Sequence, residues 1–383
     1  AEARGFPAEE PPEPEPEADL LLLATSGTTG SLKLVRHTQA SYAAVVANIL
    51  ANLLRPEPDD VMLHAASLIH ASGTFVLPFW LHGAASAVLP GFAPAEFLAA
   101  IPRWRVTHAN VVPTMLGALL AARGDEDLSS LRCVVYGASP MPRPLLERAL
   151  AEWGGRLDTS AAKPPPPGRQ TPTSPSAPSV GFLQYYGQTE APLCIAVLRP
   201  EDHHGERLLS CGQPAVDAEV RLDEETGEIL VRAPFAARGY VGDEALSAAT
   251  FLPDGWVRTR DVGRFDDEGF LYLVDRTSDM IVTGGYNVYP REVEDALAAH
   301  PGVRECVVVG APDDTWVEAV TAFVVPADGA TEAELIAHCR GLLAGYKVPK
   351  SVRFVEEIPK SPVGKLLRRA LRDPLWEGRE RPI

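Results

Sequence analysis

At 383 residues the chain has room for two or three domains and a substantial core, and 46% hydrophobic with 22% charged residues excludes a disordered or fibrous protein. A net charge of −16, with 51 Asp and Glu against 35 Lys and Arg, argues against generic binding to nucleic acid or an anionic membrane. In chain order, residues 1–19 hold seven acids, one Arg and five prolines. They bring too little apolar surface to offset the entropy of ordering and are expected to be a disordered or extended lead-in. Residues 20–24 read as a short apolar strand, TSGTTG at 25–30 as a loop, and residues 37–54 as a helix from their apolar spacing.

Residues 61–95 carry no Asp, Glu, Lys or Arg. Pro78, Pro90, Pro94, Gly73, Gly83, Gly91 and three histidines break that run, which predicts a buried core segment lining a pocket rather than a membrane span. Strands expected at 61–63, 106–112 and 132–136, each followed by a helix or a turn, suggest α/β layers. Residues 158–179 are low-complexity, with seven prolines between Pro164 and Pro178, and read as a flexible surface insertion within one domain. From 219 to 274 the turn signals EETGEI, PDGW and DDEGF separate short strands of a β-rich subdomain. Beyond Arg276 a smaller α+β unit is expected, with helices at 290–299 and 331–343 and strands at 304–310 and 320–325.

The C-terminal 44 residues oppose the overall charge, with eleven Lys and Arg against five acids. Only 6 residues of the chain are Lys, and four of them fall between Lys347 and Lys365. Such a concentration suits a small polyanion, and the competing reading is a solvated charged face. Cys133, Cys194, Cys211, Cys306 and Cys339 form no CxxC pair, so they read as reduced thiols of a cytoplasmic protein without a zinc site. No window resembles a signal peptide, and the start at Ala1 leaves an upstream piece open.

Chemistry concentrates in a few segments. Thr25, Ser26, Gly27, Thr28, Thr29, Gly30 and Lys33 offer hydroxyls, flexible amides and one cation between a strand and a helix, which suits phosphate oxygens. Leu34 after Lys33 excludes a Walker A loop. In YGQTE, Tyr186 and Gly187 stand beside Thr189 and Glu190, an aromatic face for a purine next to a hydroxyl and a carboxylate for magnesium. Further along come GWVRTRD with Asp261, DRTSDMIVTGGYNVYPREVE with Arg276, and PKSPVGKLLRR with Lys365.

In this order, and over nearly all of residues 20–372, these segments closely resemble the core motifs of the adenylate-forming superfamily of acyl-CoA synthetases, nonribosomal-peptide adenylation domains and luciferases. The resemblance implies that TSGTTG and Lys33 hold the β- and γ-phosphates of ATP, and that Tyr186 stacks on adenine beside Gly137, Ala138 and Ser139. It implies that Thr189 and Glu190 orient Mg2+ and the α-phosphate, and that Asp261 and Arg276 grip the ribose. Lys365 would bridge the substrate carboxylate and the α-phosphate. The implied organisation is a large α/β layered core at 20–275 with its β-rich subdomain, a hinge at 276–278 placed at Ser278, a small mobile C-terminal α+β domain at 279–372, and a tail at 373–383. Swinging of the small domain would withdraw Lys365 and present Gly284 and Gly285 to the incoming thiol.

His70, in SLIHASG, matches the family's PxFHxxG stretch at the acyl pocket and is counted with the catalytic set. With a histidine where amino-acid-activating relatives carry aspartate, an α-amino acid is disfavoured. Phe75, Val111, Val112, Met115 and Met141 suit an aliphatic or aryl carboxylic acid, although each could equally be core. The chain departs from the family at Leu32, Leu34 and Arg260, the last standing in place of the Gly before Asp261. Relatives also carry a sizeable N-terminal subdomain ahead of the phosphate loop, so the chain reads as a fragment, a shortened member or one completed by a partner. The expected activity is ligation of a carboxylic acid to CoA with ATP; loading of an acyl carrier protein and a non-catalytic nucleotide- or acyl-binding role are the rivals, and the oligomeric state is left open.

Overall fold

The structure is a computed structural model that describes residues 13–26, 32–154, 180–276, 279–327, 329–360 and 366–379. Residues 1–12, 27–31, 155–179 and 277–278 and Lys365 lie outside the described residues, and with them most of the expected lead-in and phosphate loop, all of the expected insertion at 158–179 and Ser278 of the expected hinge.

The chain opens on an antiparallel hairpin of β1 (Asp19–Ser26) and β2 (Leu32–Thr38), with Thr25 opposite Lys33. This corrects two expectations. The phosphate-type loop is followed by a strand and only then by helix α1 (Gln39–Asn52), so Lys33 sits on β2 and is no part of a helix N-terminus. The end of the acidic lead-in is also ordered: the carbonyls of Pro16 and Ala18 accept from the amides of Ala40 and Gln39, each at 2.9 Å. Those two amides belong to the first turn of α1, which has no intrahelical acceptors, and that need holds residues 16–18 in place. Thr38 caps the same end through Ser41.

A seven-stranded sheet forms the large core. Its strands are β3 (Val61–His64), β4 (Ala85–Val88), β5 (His108–Val111), β6 (Cys133–Gly137), β7 (Gly181–Gln188), β8 (Ala191–Leu198) and β9 (Gln213–Pro214), in the order β4-β3-β5-β6-β7-β8-β9. The first five in that order run parallel, and β8 pairs antiparallel with both β7 and β9. Helices α2 (Val76–Leu81), α3 (Pro94–Trp104), α4 (Pro113–Ala122) and α5 (Arg143–Glu152) supply the crossovers. Parallel strands covered on both faces are shielded from water, and β5 and β6 are buried at every residue; antiparallel β8 is buried throughout as well. The two faces carry separate apolar clusters, one around Ile49, Phe75 and Phe79 and one around Phe97, Leu116 and Tyr136.

The β-rich region is a four-stranded antiparallel sheet, β10 (Glu219–Leu222), β11 (Glu228–Arg232), β12 (Val257–Phe265) and β13 (Leu271–Arg276), with α6 (Glu244–Thr250) before β12. The last sheet is built from β14 (Ile281–Thr283), β15 (Tyr286–Val288), β16 (Val303–Asp313), β17 (Val317–Pro326) and β18 (Ser351–Phe354), packed against α7 (Pro290–Ala298), α8 (Glu332–Leu342) and α9 (Arg368–Arg372). It has its own core of Ile281, Val293, Leu297, Val308, Val320 and Leu335. No helix among the described residues is long and apolar enough to cross a membrane.

Candidate active site

The site grows from the end of β7. Gly187 is required there by close packing, because a Cβ would lie 2.5 Å from the Leu193 carbonyl oxygen on β8. The chain then turns through Thr189 and Glu190. Both are held by backbone: the Thr189 carbonyl meets Nε2 of buried His37 at 2.8 Å, and the Glu190 carbonyl accepts from the Ala237 amide at 2.8 Å. Burial depresses the His37 pKa, which favours the neutral ring. The neighbouring turn is equally tight. A Cβ on Gly137 would fall 2.5 Å from the Tyr185 carbonyl oxygen, and Ala138 adopts φ +65°.

Two tyrosine–carboxylate pairs organise the site. Tyr186 Oη donates to Asp261 Oδ2 at 2.7 Å, and both residues are buried. Tyr240 Oη donates to Glu190 Oε1 at 2.6 Å. Sequence reasoning missed Tyr240. It arrives because residues 238–241 pair with β2, through Arg36 to Gly239 and Val241 to Leu34 at 2.9 Å each. That pairing sets Lys33 Nζ 5.8 Å from the centre of the Tyr240 ring. Lys33, Tyr240 and Glu190 therefore form one group, drawn from three separate segments. Burial and Glu190 push the Tyr240 pKa far up, and burial and Asp261 do the same for Tyr186, so both phenols remain neutral donors. The only sequence signal for Tyr240 is the run ARGYVGD, which reads as an ordinary turn.

Asp261 is aimed by a bulge. Between the pairs Glu228↔Val262 and Leu230↔Arg258, β12 contains extra residues, and Arg260 among them takes φ +61°. Buried Glu228 holds the bulge: its Oε1 accepts from the Arg260 amide at 2.9 Å, and its Oε2 accepts from Arg258 Nε and Nη2 at 2.9 and 2.7 Å. Asp261 pairs in register with Arg276 on β13, which brings the two expected ribose residues to adjacent strands. Glu228 is a second residue that sequence reasoning passed over.

A divalent cation fits this arrangement. No group of three His, Cys, Asp or Glu assembles among the described residues, but magnesium bound by one or two carboxylates together with substrate phosphates needs no such cage. Buried Gln188 Nε2, one residue before Thr189, has no hydrogen-bond partner among the described residues, and an acceptor oxygen on a ligand would satisfy it.

Elsewhere the outcome is mixed. His70 is exposed, on a turn closed by Gly73 N–H to its carbonyl at 2.9 Å. Ser72 anchors that turn to His64 Nδ1 on β3 at 2.9 Å. Val111, Val112, Met115 and Met141 pack in one apolar cluster and Phe75 in the other, so all five serve as core. Gly284 and Gly285 form the two-residue turn between β14 and β15 with φ +58° and +83°. Beside it, Tyr286 stacks on Tyr346 at 4.7 Å, and Lys350 Nζ lies 5.1 Å over the exposed Trp316 ring. Lys347, the neighbour of Tyr346, is ion-paired to Glu292 at 2.6 Å. Two of the clustered lysines thus border an aromatic surface next to the glycine turn, which sequence reasoning did not assemble.

A parallel-sheet core brings Lys33 of the hairpin, the YGQTE turn and a buried aspartate together at one strand end, the segments that resemble the adenylate-forming class. The chain belongs to the AMP-binding enzyme family: the family's main model matches residues 1–241, and the model of its C-terminal domain matches residues 292–365. It is 39% identical over 388 residues to the medium/long-chain-fatty-acid–CoA ligase FadD8 of Mycobacterium tuberculosis, covering 96% of this chain and 63% of that protein. It is 36% identical over 369 residues to the 2-succinylbenzoate–CoA ligase of Bacillus cytotoxicus, covering 94% and 70%. Among solved structures it superposes on o-succinylbenzoate CoA synthetase from Bacillus subtilis in complex with its acyl-adenylate intermediate, with a TM-score of 0.79 at 32% identity over 94% of this chain and 70% of that one. The chain therefore spans about two thirds of the length of these relatives.

Proposed function

We propose that the protein activates an aliphatic or aryl carboxylic acid with ATP, releasing pyrophosphate, and then transfers the acyl group to the thiol of CoA. The observation that carries this reading is the convergence on the end of β7: the Tyr186–Asp261 and Tyr240–Glu190 hydrogen bonds, at 2.7 and 2.6 Å, leave two carboxylates with neutral donors. In the first half-reaction a carboxylate oxygen of the acid attacks the α-phosphorus and pyrophosphate leaves, giving an acyl adenylate. The acid and the triphosphate repel each other, so the site must offset charge and hold the reactants in line. Lys33 faces the phosphates. Glu190 and Thr189 would hold magnesium, which would supply positive charge beside the leaving pyrophosphate. Asp261 and Arg276 take the ribose hydroxyls, Tyr186 lies against adenine beside Gly137, Ala138 and Ser139, and Gln188 donates to a nucleotide oxygen. Lys365 reaches the substrate carboxylate and the α-phosphate.

In the second half-reaction a thiolate sulfur attacks the acyl carbon and AMP leaves. Burial pushes the Cys133 and Cys211 thiols up to about 12 and that of Cys339 to about 11, and holds those of Cys194 and Cys306 well above the ordinary value, which disfavours a thiolate on this chain and suits a thiol brought by a second substrate. The small sheet offers a surface for it. The Gly284–Gly285 turn would line the thiol path after the hinge swing, and Trp316, Tyr286, Tyr346 and Lys350 combine ring faces with a positive charge suited to a nucleotide-bearing thiol such as CoA. We place the enzyme in the cytoplasm, in keeping with five buried, unpaired cysteines.

Pyrophosphate exchange measured across a panel of fatty and aryl acids, with Lys365→Ala as control, tests the reading. The expected result is exchange with at least one acid, lost in Lys365→Ala, while that variant still forms thioester from supplied acyl-AMP. Nucleotide binding without exchange for any acid would replace the enzyme with a binding protein. Mass spectrometry of the product with CoA or with a holo carrier protein identifies the acceptor.

A further inference from the structure

The hairpin that carries Lys33 meets the YGQTE turn at two points. Lys33, Val35 and His37 alternate along β2 and so share one face of it, with Val35 and His37 fully buried. Val35 bridges to Tyr240, whose hydroxyl holds the Glu190 side chain. His37 reaches the turn itself: Nε2 meets the Thr189 carbonyl at 2.8 Å, across 152 residues of sequence. A carbonyl oxygen can only accept, so Nε2 carries a proton and donates it. Nδ1 faces the Ser41 hydroxyl at 3.4 Å. Ser41 is fully buried and locked into the capping box of α1, where its Oγ accepts from the Thr38 amide at 2.9 Å. The imidazole is thus held at both ring nitrogens and forms a strut between the start of α1 and the turn.

The strut takes hold of a main-chain oxygen. The Thr189 carbonyl is drawn to His37 and the Glu190 carbonyl to the Ala237 amide, so the protein engages both backbone oxygens of the turn. The Thr189 hydroxyl and the Glu190 carboxylate are then the oxygens the turn presents to a ligand. Released from His37, the peptide between them would be free to rotate and would carry both side chains with it. We propose that His37 is a positioning residue for the magnesium nucleotide: its Nε2–H pins the Thr189 carbonyl and so fixes the turn that presents Thr189 and Glu190, in register with Lys33 on the same strand. The proposal rests on the nucleotide reading of the site.

Binding of a fluorescent ATP analogue to His37→Phe and His37→Gln, with Mg2+ and with EDTA, tests it at a temperature where melting shows each variant folded. His37→Phe fills the space without a donor and should weaken binding with Mg2+ about fivefold to tenfold, while changing it in EDTA by less than about twofold. His37→Gln keeps a side-chain N–H near the position of Nε2 and should recover most of the loss. In exchange assays the defect should fall on KM for ATP and leave KM for the acid unchanged. Wild-type affinity in folded His37→Phe with Mg2+, an equal loss with and without the metal, equal losses in the two variants, or a matching rise in KM for the acid overturns the proposal. Should His37→Phe not fold, Ser41→Ala decides: the imidazole stays and its Nδ1 partner goes, so binding with Mg2+ should weaken about twofold, and unchanged binding overturns the proposal. If the wild-type protein binds no nucleotide, the nucleotide reading fails and this proposal with it. If the Mg2+-dependent loss is present yet no acid supports exchange, the ligase reading fails and the role of His37 stands.

Discussion

Carboxylates are treated differently in the two halves of the molecule. At the end of β7, Asp261 and Glu190 are met by phenolic hydroxyls, which supply a hydrogen bond and no charge. In the small domain, Glu294 is met by the Arg368 guanidinium, and Asp279 by Arg368 Nε and Arg372 Nη1 at 3.4 Å each. The second arrangement is neutralised within the fold and ties α9 to α7 and to the chain just before β14. The first adds a hydrogen bond to each carboxylate without adding charge.

Removing the charge on each side tests that contrast. Glu190→Gln keeps the shape and the Tyr240 contact but loses the negative charge; on the proposed role at the metal, exchange rates should fall by roughly 100-fold or more, with the melting curve little changed. Equal loss of folding would make Glu190 another structural acid. Arg368→Met should act the other way. It removes the arginine from Glu294, 17% exposed at its side chain, and leaves Asp279 with Arg372, and denaturant titration should show a loss of about 3–5 kcal/mol.

Acid separates the buried neutral groups from the charged ones. Burial lowers the His64 pKa to about 4, against the ordinary 6.5. The folded value is depressed, so the unfolded chain takes up the proton first, and stability falls as pH drops from about 6.5 to about 4, then levels off. The expected change is on the order of 3 kcal/mol for this one group. His64→Gln should flatten that part of a stability–pH curve; an unchanged slope would assign it elsewhere, with buried His203, also lowered to about 4, the first alternative. The smallest effect is expected for Tyr186→Phe, which deprives a buried carboxylate of one donor and should cost about 1–2 kcal/mol by chemical denaturation. A neutral result there would mean that the other contacts of Asp261 suffice without the phenol.

Much of this was legible in the chain. The runs at 61–63, 106–112 and 132–136 announced β3, β5 and β6, although β5 itself, HANV, buries His108 and Asn110 among its four residues. The change to short strands with turn signals marked the sheet from β10 to β13. Where the reading slipped, distant pairing was the reason. Lys33 was expected ahead of a helix because β2, with the mixed sequence LKLVRHT, is a strand only by virtue of its hairpin with β1 and its contact with residues 238–241. Val111, Val112, Met115 and Met141 were candidates for a pocket because an apolar residue beside a pocket and one inside the core look alike until the packing is known.

The sequence by itself determined the family, the order of the sheets and the identity of the charged groups, since these depend on local spacing and on motifs a few residues long. Tertiary structure alone decided which groups meet. Tyr240 reaches Glu190 across 50 residues and Tyr186 reaches Asp261 across 75. Nothing local signals either contact, because each depends on strand pairing and on a bulge that swings one side chain inward. The left-handed backbone at Arg260 belongs with them: the departure from glycine was visible in the sequence, and only the fold shows the strain it carries and the hydroxyl that anchors it.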